Sequence, residues 1–224
     1  MIRRCGLMIA LSATAFLASG AARANLIADG NFTADTANFY GVGSTLGSGA
    51  WTVTLGAGSG VTNLTGYSGI DLTSTTWQTP PGGGNSVDLD GYDPGGIAQT
   101  FATTVGQQYL VNFYLAGNPS SAGATNTLRN LAVSAAATTR DYTFNTASTS
   151  NTNMGFQSET FGFTATATST TLSFTSLDPM GQASGPVIAN VNVQVPEPAS
   201  LALLLTGAIG AGVTRRRRLP SASC

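Results

Sequence analysis

The stretch VIANVNVQV, at positions 187–195, decides the fold. Apolar residues occupy every odd-numbered position of this stretch, and three of the four residues between them are Asn or Gln. Alternation with a period of two is typical of a β-strand that has one buried face. The stretch therefore predicts a strand whose odd-numbered residues face the core.

The same pattern recurs upstream along the chain. Phenylalanine and alanine alternate with glycine and threonine over 161–168, and 109–116 is apolar on both faces apart from Asn112, which predicts a central strand. Gly- and Ser-rich connections separate the segments, and no helical period is found between the two ends, which favours an all-β antiparallel sandwich. Further candidate strands are Trp51–Leu55, Asn85–Leu89, Ile97–Ala102, Leu128–Ser134 and Thr171–Leu177.

The composition excludes several classes of function. Only 8% of the 224 residues are charged, and the chain has no His. Between residues 25 and 195 there are two arginines and nine acidic residues, so this segment would be repelled by nucleic acid. The segment also has no Lys and no Cys, which rules out Ser-His-Asp, Cys-His and zinc arrangements there. A pair of carboxylates, as in a glycoside hydrolase, remains open.

The N-terminus has the pattern of a signal peptide. Two arginines precede an apolar run at 7–17, which is too short for a comfortable membrane span. Ala22 and Ala24 form a small-x-small site, which predicts cleavage by signal peptidase before Asn25 and export by the general secretory route. The alternative is an uncleaved anchor over residues 1–24.

The C-terminus carries a second signal in three parts. Pro196, Glu197 and Pro198 lead into an apolar stretch at 201–213, and four arginines follow at 215–218. As a helix, residues 199–213 would be about 22 Å long, against roughly 30 Å of hydrocarbon. The arginines predict that the tail ends in the cytoplasm with residues 25–195 outside. The alternative is a buried helix of a globular core. That helix would bring four arginine charges next to the core, where burying them is costly.

This order of motif, short apolar helix and arginine cluster resembles the PEP-CTERM sorting signal of exopolysaccharide-producing Gram-negative bacteria. The resemblance implies processing by an exosortase, a membrane cysteine transpeptidase or protease. It implies that Pro196, Glu197 and Pro198 form the recognition motif and that 201–213 is a transient membrane anchor. Residues 219–224 would form a short trailing tail. The cytoplasmic stop would be Arg215, Arg216, Arg217 and Arg218.

A second resemblance covers most of residues 25–195. Four segments are similar to the choice-of-anchor C group, which is related to DUF642 and to galactose-binding-like jelly rolls. The resemblance implies a jelly-roll β-sandwich for 25–195 and implies little about activity. The segments are LIADGNF at 26–32, NSVDLDG at 85–91 with GGIAQTF at 95–101, LAGNP at 115–119 and GPVIANV at 185–191.

One acidic cluster has the spacing of metal ligands. Asp88 and Asp90 project the same way from a strand, and Gly91 permits a turn that could bring Asp93 round. Calcium prefers such oxygen ligands, so a structural calcium ion is one interpretation. The other, which we favour at this stage, is a solvated turn. No other cofactor is indicated.

Two tryptophans have different surroundings. Trp51 lies in an apolar alternation and is expected in the core, whereas Trp77 lies in a polar segment and is expected to be partly exposed. Trp77 and Tyr92, with Asp90 and Asp93 close in sequence, are candidates for stacking on and hydrogen bonding to a glycan. Alternatively, the two rings pack over the end of the sandwich.

Three classes of function remain. The first is an exported, non-catalytic surface or matrix protein, associated with exopolysaccharide or a biofilm. The second is a carbohydrate-binding module, and the third is a secreted glycoside hydrolase.

Overall fold

The computed structural model describes residues 25–57, 68–73, 76–120 and 126–196. These residues form two antiparallel six-stranded sheets and contain no helix, so none that is long and apolar enough to cross a membrane. The predicted jelly-roll β-sandwich is confirmed. The predicted signal peptide and C-terminal hydrophobic helix lie outside the described residues.

Sheet I and sheet II pack face to face. In spatial order, sheet I consists of β1 (Asn38–Gly41), β4 (Gly69–Thr73), β5 (Ser86–Asp88), β12 (Pro186–Gln194), β7 (Gln108–Gly117) and β10 (Gln157–Thr164). Sheet II consists of β2 (Thr45–Leu46), β3 (Trp51–Leu55), β6 (Gly95–Ala102), β11 (Ser169–Ser176), β8 (Leu128–Ala135) and β9 (Thr138–Asn145). From β5 onward the chain changes sheet at every connection except the β8–β9 hairpin.

The core lies between the sheets and is rich in aromatic rings. Phe113 of sheet I meets Phe174 of sheet II edge-on, with ring centroids 5.2 Å apart. Trp51 is fully buried beside Phe174, which confirms the prediction that it belongs to the core. Buried aromatic pairs of this kind add to the stability that their apolar area alone provides. Packing of this core fixes the position of each sheet relative to the other.

Strand β12 departs from strict alternation because it contains a β-bulge. Its register with β7 shifts between Ala189 and Asn192, and Asn190 has a φ of 47°. Before the bulge Ile188 lies opposite Leu115, and after it Val193 lies opposite Val111. Leu115 and Val111 share one face of β7, so Ile188 and Val193 share the core face although their numbers differ by five. The predicted burial of Val187 and Ala189 is confirmed, and Val187 belongs to the core cluster. Both lie on the opposite face of β12 from Val193, because one inserted residue reverses the faces of a strand.

The sandwich has two ends that matter for function. Strand β12 begins at Pro186, opposite Gly117, and ends at Gln194, opposite Leu110. We call the end that contains Gly117 and Pro186 the distal pole, and the end that contains Gln194 the tail pole. The eight steps of β12 between them span about 26 Å. The loops before β6, after β7 and before β12 meet at the distal pole.

Candidate functional site at the distal pole

Three carboxylates are buried together at the distal pole. Asp88 ends β5, Asp90 follows it in the next loop, and Asp178 comes from the loop after β11. Each of the three has an exposed fraction of 1% or less. The interpretation of Asp88 and Asp90 as part of a solvated turn is therefore wrong. Loops from both sheets close over these side chains, which the local sequence does not indicate.

Asp88 is held by three hydrogen bonds. Its Oδ1 accepts from the backbone N–H groups of Asp90 and Gly185, at 3.1 and 3.0 Å, and its Oδ2 accepts from Asn118 Nδ2 at 2.6 Å. Burial raises the pKa of the Asp88 carboxyl to about 7, although the three hydrogen bonds act in the opposite direction. Asp88 thus joins β5, the end of β7 and the loop before β12.

Asp90 is the least satisfied group of the site. Neither of its carboxyl oxygens has a hydrogen-bond partner, and its carboxyl carbon lies against Gly185, where a Cβ would stand 2.4 Å away. Burial raises the pKa of Asp90 to about 9, and the nearby Asp88 carboxylate adds to this rise. The Ser176 hydroxyl lies near the Asp90 carboxyl and lowers its pKa slightly, although the two groups do not reach hydrogen-bond geometry. A carboxyl group in these surroundings is neutral at pH 7.

Arg129 supplies the buried positive charge of the pole. Its guanidinium donates to the carbonyl oxygens of Asn118, Ser120, Asn126 and Leu128, at 2.9 to 3.2 Å. These contacts tie the chain just after β7, at Asn118 and Ser120, to the chain at the start of β8, at Asn126 and Leu128. The charge of Arg129 also lowers the pKa of Asp90, against the larger effect of burial.

Asp178 anchors the loop before β12. Its Oδ1 accepts from the backbone and side chain of Asn130, each at 2.9 Å, and its Oδ2 accepts from Gln182 Nε2 at 2.9 Å. Burial raises the pKa of Asp178, and the hydrogen bonds from Asn130 oppose the rise. Gln182 Oε1 remains buried without a partner. The role of Asp178 was missed because it lies about ninety residues from Asp88 in the sequence and belongs to no motif.

An aromatic tip stands on the outside of this buried cluster. Tyr92 is 58% exposed, and its ring lies 5.0 Å from that of Phe39 at an angle of 56°. Phe39 covers Gly69 and Gly91, where a Cβ would meet its ring at 2.8 and 2.5 Å, so only glycine leaves room for the ring. Met180 is 50% exposed on the neighbouring loop, which Asp93 holds by accepting from Gly181 N–H at 2.6 Å. Sequence reasoning identified Tyr92 and missed Phe39 and Met180.

Trp77 lies elsewhere. It is half-buried against the core and lines a small cavity of about 30 Å³ with Thr73 and Ser86. Its partial exposure confirms the sequence prediction. Tyr92 lies near the other end of β4, because it follows Gly91, whose N–H donates to Gly69 O at 3.1 Å. Thr73 and Gly69 are the two ends of β4, about 13 Å apart, so the structure does not bring Trp77 and Tyr92 together.

The proposed calcium ligands do not converge either. Asp93 is turned toward Gly181, whereas Asp88 and Asp90 are buried beside Gly185. Within the described ranges, no group of three acidic side chains is placed to hold a metal ion. Calcium binding by Asp88, Asp90 and Asp93 stays a prediction, without support from this geometry.

Most of the predicted targeting residues lie outside the described residues. This applies to Ala22 and Ala24 of the cleavage site, to Glu197 and Pro198, and to the arginines at 215–218. Asn25 and Pro196 are described, and both lie at the tail pole. Asn25 Oδ1 accepts from Val193 N–H at 2.9 Å, and Pro196 lies half-buried two residues after β12.

Fold and site together define a class of protein: a jelly-roll module with closed, glycine-supported loops and an aromatic tip at one end. Residues 25–194 match the model of the family described as "Protein of unknown function (DUF642)", and the chain belongs to that family. Residues 194–218 match the PEP-CTERM protein-sorting motif, which marks an exported surface or extracellular protein processed by an exosortase. Both predicted resemblances are thereby confirmed. No curated protein matches the chain.

Solved structures of similar shape include carbohydrate-binding proteins. One, described as "CBM4 structure and function", is 14% identical with a TM-score of 0.43, and the match covers 74% of this chain and 98% of that one. A family 35 carbohydrate binding module from Clostridium thermocellum is 13% identical with a TM-score of 0.40, with 72% and 100% covered. Identities and TM-scores this low describe a similarity of general shape only.

Proposed function

We propose that this chain is a non-catalytic surface protein that holds extracellular polysaccharide through the aromatic tip formed by Phe39, Tyr92 and Met180. The observation that carries the proposal is the position of Tyr92, a ring that is 58% exposed and supported from behind by Phe39. Contiguous apolar surface that remains exposed is a feature of binding sites, and Met180, 50% exposed on the loop that Asp93 holds, extends the surface of Tyr92 and Phe39. Sugar rings present an apolar face of C–H groups, on which such an aromatic ring stacks.

Polar groups beside the tip suit the hydroxyl groups of a sugar. Asp93 follows Tyr92 directly and is only half-buried, and Asp71 lies opposite Phe39 in the β1–β4 register. Carboxylate oxygens accept hydrogen bonds from hydroxyl donors, and an aromatic surface edged by such groups is typical of ligand sites. Asp90, which the sequence suggested for this role, is buried and does not reach the surface.

The acids of this pole support binding and not hydrolysis. A glycoside hydrolase needs two carboxyl groups that face the scissile bond from a groove. Asp88, Asp90 and Asp178 are all buried and do not face a groove. The oxygens of Asp88 and Asp178 accept from Asn, Gln and backbone groups, and those of Asp90 have no hydrogen-bond partner. Asp93 uses one oxygen to hold Gly181. The three buried carboxylates are therefore proposed to be structural, which leaves Asp93 and Asp71 as the acids that could meet a sugar.

Delivery by the sorting motif fits this proposal. A protein exported and processed at the cell surface meets the exopolysaccharide that the cell secretes. The partner we propose is that polymer, and a role in a biofilm matrix would follow from holding it.

The test is retention of the purified protein on exopolysaccharide from the producing cells. We expect Tyr92→Ala to weaken binding about tenfold, which corresponds to about 1.4 kcal/mol of lost stacking. Tyr92→Phe keeps the ring and should bind like the wild type, and Val105→Ala removes an exposed apolar side chain from the tail pole as a control. Equal retention of the Tyr92→Ala variant and the wild type would disprove the role of the tip.

A further inference from the structure

The sorting motif begins on the surface of the folded domain. Strand β12 ends at Gln194, and only Val195 separates it from Pro196. Pro196 is half-buried and lines a cleft of about 360 Å³ at the tail pole. Its other lining residues include Gln108, Leu110, Thr138, Gly162 and Thr164.

The walls of this cleft belong to the rigid part of the sandwich. Strands β7 and β10 pair over eight residues without a shift, with Thr164 opposite Gln108 and Gly162 opposite Leu110. Beneath them, the buried rings of Tyr109 and Phe163 stack with centroids 5.3 Å apart. Gly162 leaves the cleft open, because a Cβ there would have its nearest neighbour, Tyr109 O, at 3.9 Å. The cleft is therefore preformed.

The strand that delivers the motif is also fixed. Leu26 N–H donates to Val193 O at 3.0 Å, and Asn25 Nδ2 donates to Val191 O at 3.0 Å. Asn25 Oδ1 accepts from Val193 N–H at 2.9 Å. The first residues of the domain thus hold β12 until three residues before Pro196. Pro196 follows this held strand without a linker between them.

We propose that this cleft is a docking surface for the membrane-bound exosortase that processes the motif. Residues 196–198 extend at most about 10 Å, so an enzyme that grips them comes within reach of the cleft. The cleft residues named above carry no charge, so the expected contact is an uncharged, partly apolar segment of the enzyme. Docking at this cleft requires the sorting motif and does not require polysaccharide binding.

The test follows processing of the full chain in a host with the matching exosortase, by pulse-chase of precursor and product. Gly162→Trp fills the cleft from β10, and Gln108→Trp does so from β7, at an exposed position. We expect each variant to be processed about tenfold more slowly, the effect of about 1.4 kcal/mol of binding energy. Thr171→Trp adds the same ring to the exposed face of sheet II and should be processed normally.

Two further variants make the result decisive. Insertion of six Gly and Ser residues between Val195 and Pro196 moves the motif away from the cleft and should also slow processing. Glu197→Ala, within the motif, should block processing and so show that the assay depends on the motif. Protease resistance of each precursor checks folding. Wild-type rates for both Gly162→Trp and Gln108→Trp, or faster processing after the insertion, would overturn the proposal.

Discussion

Replacement of Asp90 by Asn should change how the stability of the domain depends on pH. The native carboxyl has a pKa of about 9, against an ordinary value of 3.8 for an Asp side chain. Between these values the folded state holds a proton that the unfolded state has released. Stability therefore falls as pH rises from about 4 to 9, because the native state binds more protons than the unfolded state.

The size of the effect follows from the same numbers. For one such group, the free energy of unfolding falls by about 1.4 kcal/mol for each pH unit in this window. Asp90 therefore lowers the free energy of unfolding by about 4 kcal/mol at pH 7 relative to pH 4. That is a large share of the 5 to 15 kcal/mol that is typical of a folded domain. Asn has nearly the shape of a protonated Asp and does not titrate. Between pH 5 and 8, the free energy of unfolding should therefore fall less steeply with pH in Asp90→Asn than in the wild type, by about 1.4 kcal/mol per pH unit.

The assay is urea unfolding of the purified protein at pH 5, 6, 7 and 8, followed by the fluorescence of the buried Trp51. Asp141→Asn removes an exposed carboxylate from β9 and controls for the change in net charge. Asp88, whose pKa burial raises to about 7 in the native domain, is still present in the variant, so some dependence on pH persists. Parallel plots of unfolding free energy against pH for the wild type and Asp90→Asn would refute a neutral, buried Asp90.

Four other predictions concern single residues or a single ligand. Trp77→Ala should cost about 2 kcal/mol in urea unfolding, because Trp77 packs against the core, whereas Tyr92→Ala should change stability by less than about 0.5 kcal/mol. Arg129→Met should cost about 3 kcal/mol, because it leaves buried carbonyl oxygens without donors; an unchanged midpoint would contradict this. Intact mass of the exported protein should show Asn25 as the first residue, and a retained Met1 would exclude cleavage there. If Asp88, Asp90 and Asp93 bind calcium, calcium at a hundred times its Kd should raise the free energy of unfolding by about 2.7 kcal/mol over EDTA, and equal values in calcium and EDTA would exclude that binding.

The strands that could be predicted are those with regular alternation or a sustained apolar run. The stretch Trp51–Leu55 coincides with β3, and the stretch 128–134 falls one residue short of β8. Strand β9 was missed because its first four residues are all exposed, so the period of two begins only at Tyr142. Strands β1 and β2 have four and two residues, too few to establish a period, whereas the short alternation in β4 (Gly69–Thr73) was overlooked.

The candidate site was less predictable because it depends on long-range contacts. Asp88 and Asp90 could be singled out from their spacing, but their burial depends on Gly185 and Asn118, which come from distant loops. The bulge at Asn190 was missed for a related reason. Its Nδ2 donates to the carbonyl oxygens of Pro81 and Gly83, and these partners are more than a hundred residues away. A local pattern carries no information about such partners.

The arrangement of the two poles links sorting to binding. Asn25 and Pro196 lie at the tail pole, where the predicted signal cleavage and the sorting motif adjoin β12. Tyr92 lies at the distal pole, about 26 Å away along that strand. A chain held by its C-terminal tail would therefore present the aromatic tip on the side away from the point of attachment. If instead the tip bound a partner at the point of attachment, the polymer and the exosortase would compete for the same end of the domain. If both proposals hold, the separation of the poles would let processing and polysaccharide binding proceed on the same molecule. Tyr92→Ala should then leave processing unchanged, and Gly162→Trp should leave retention on the polymer unchanged.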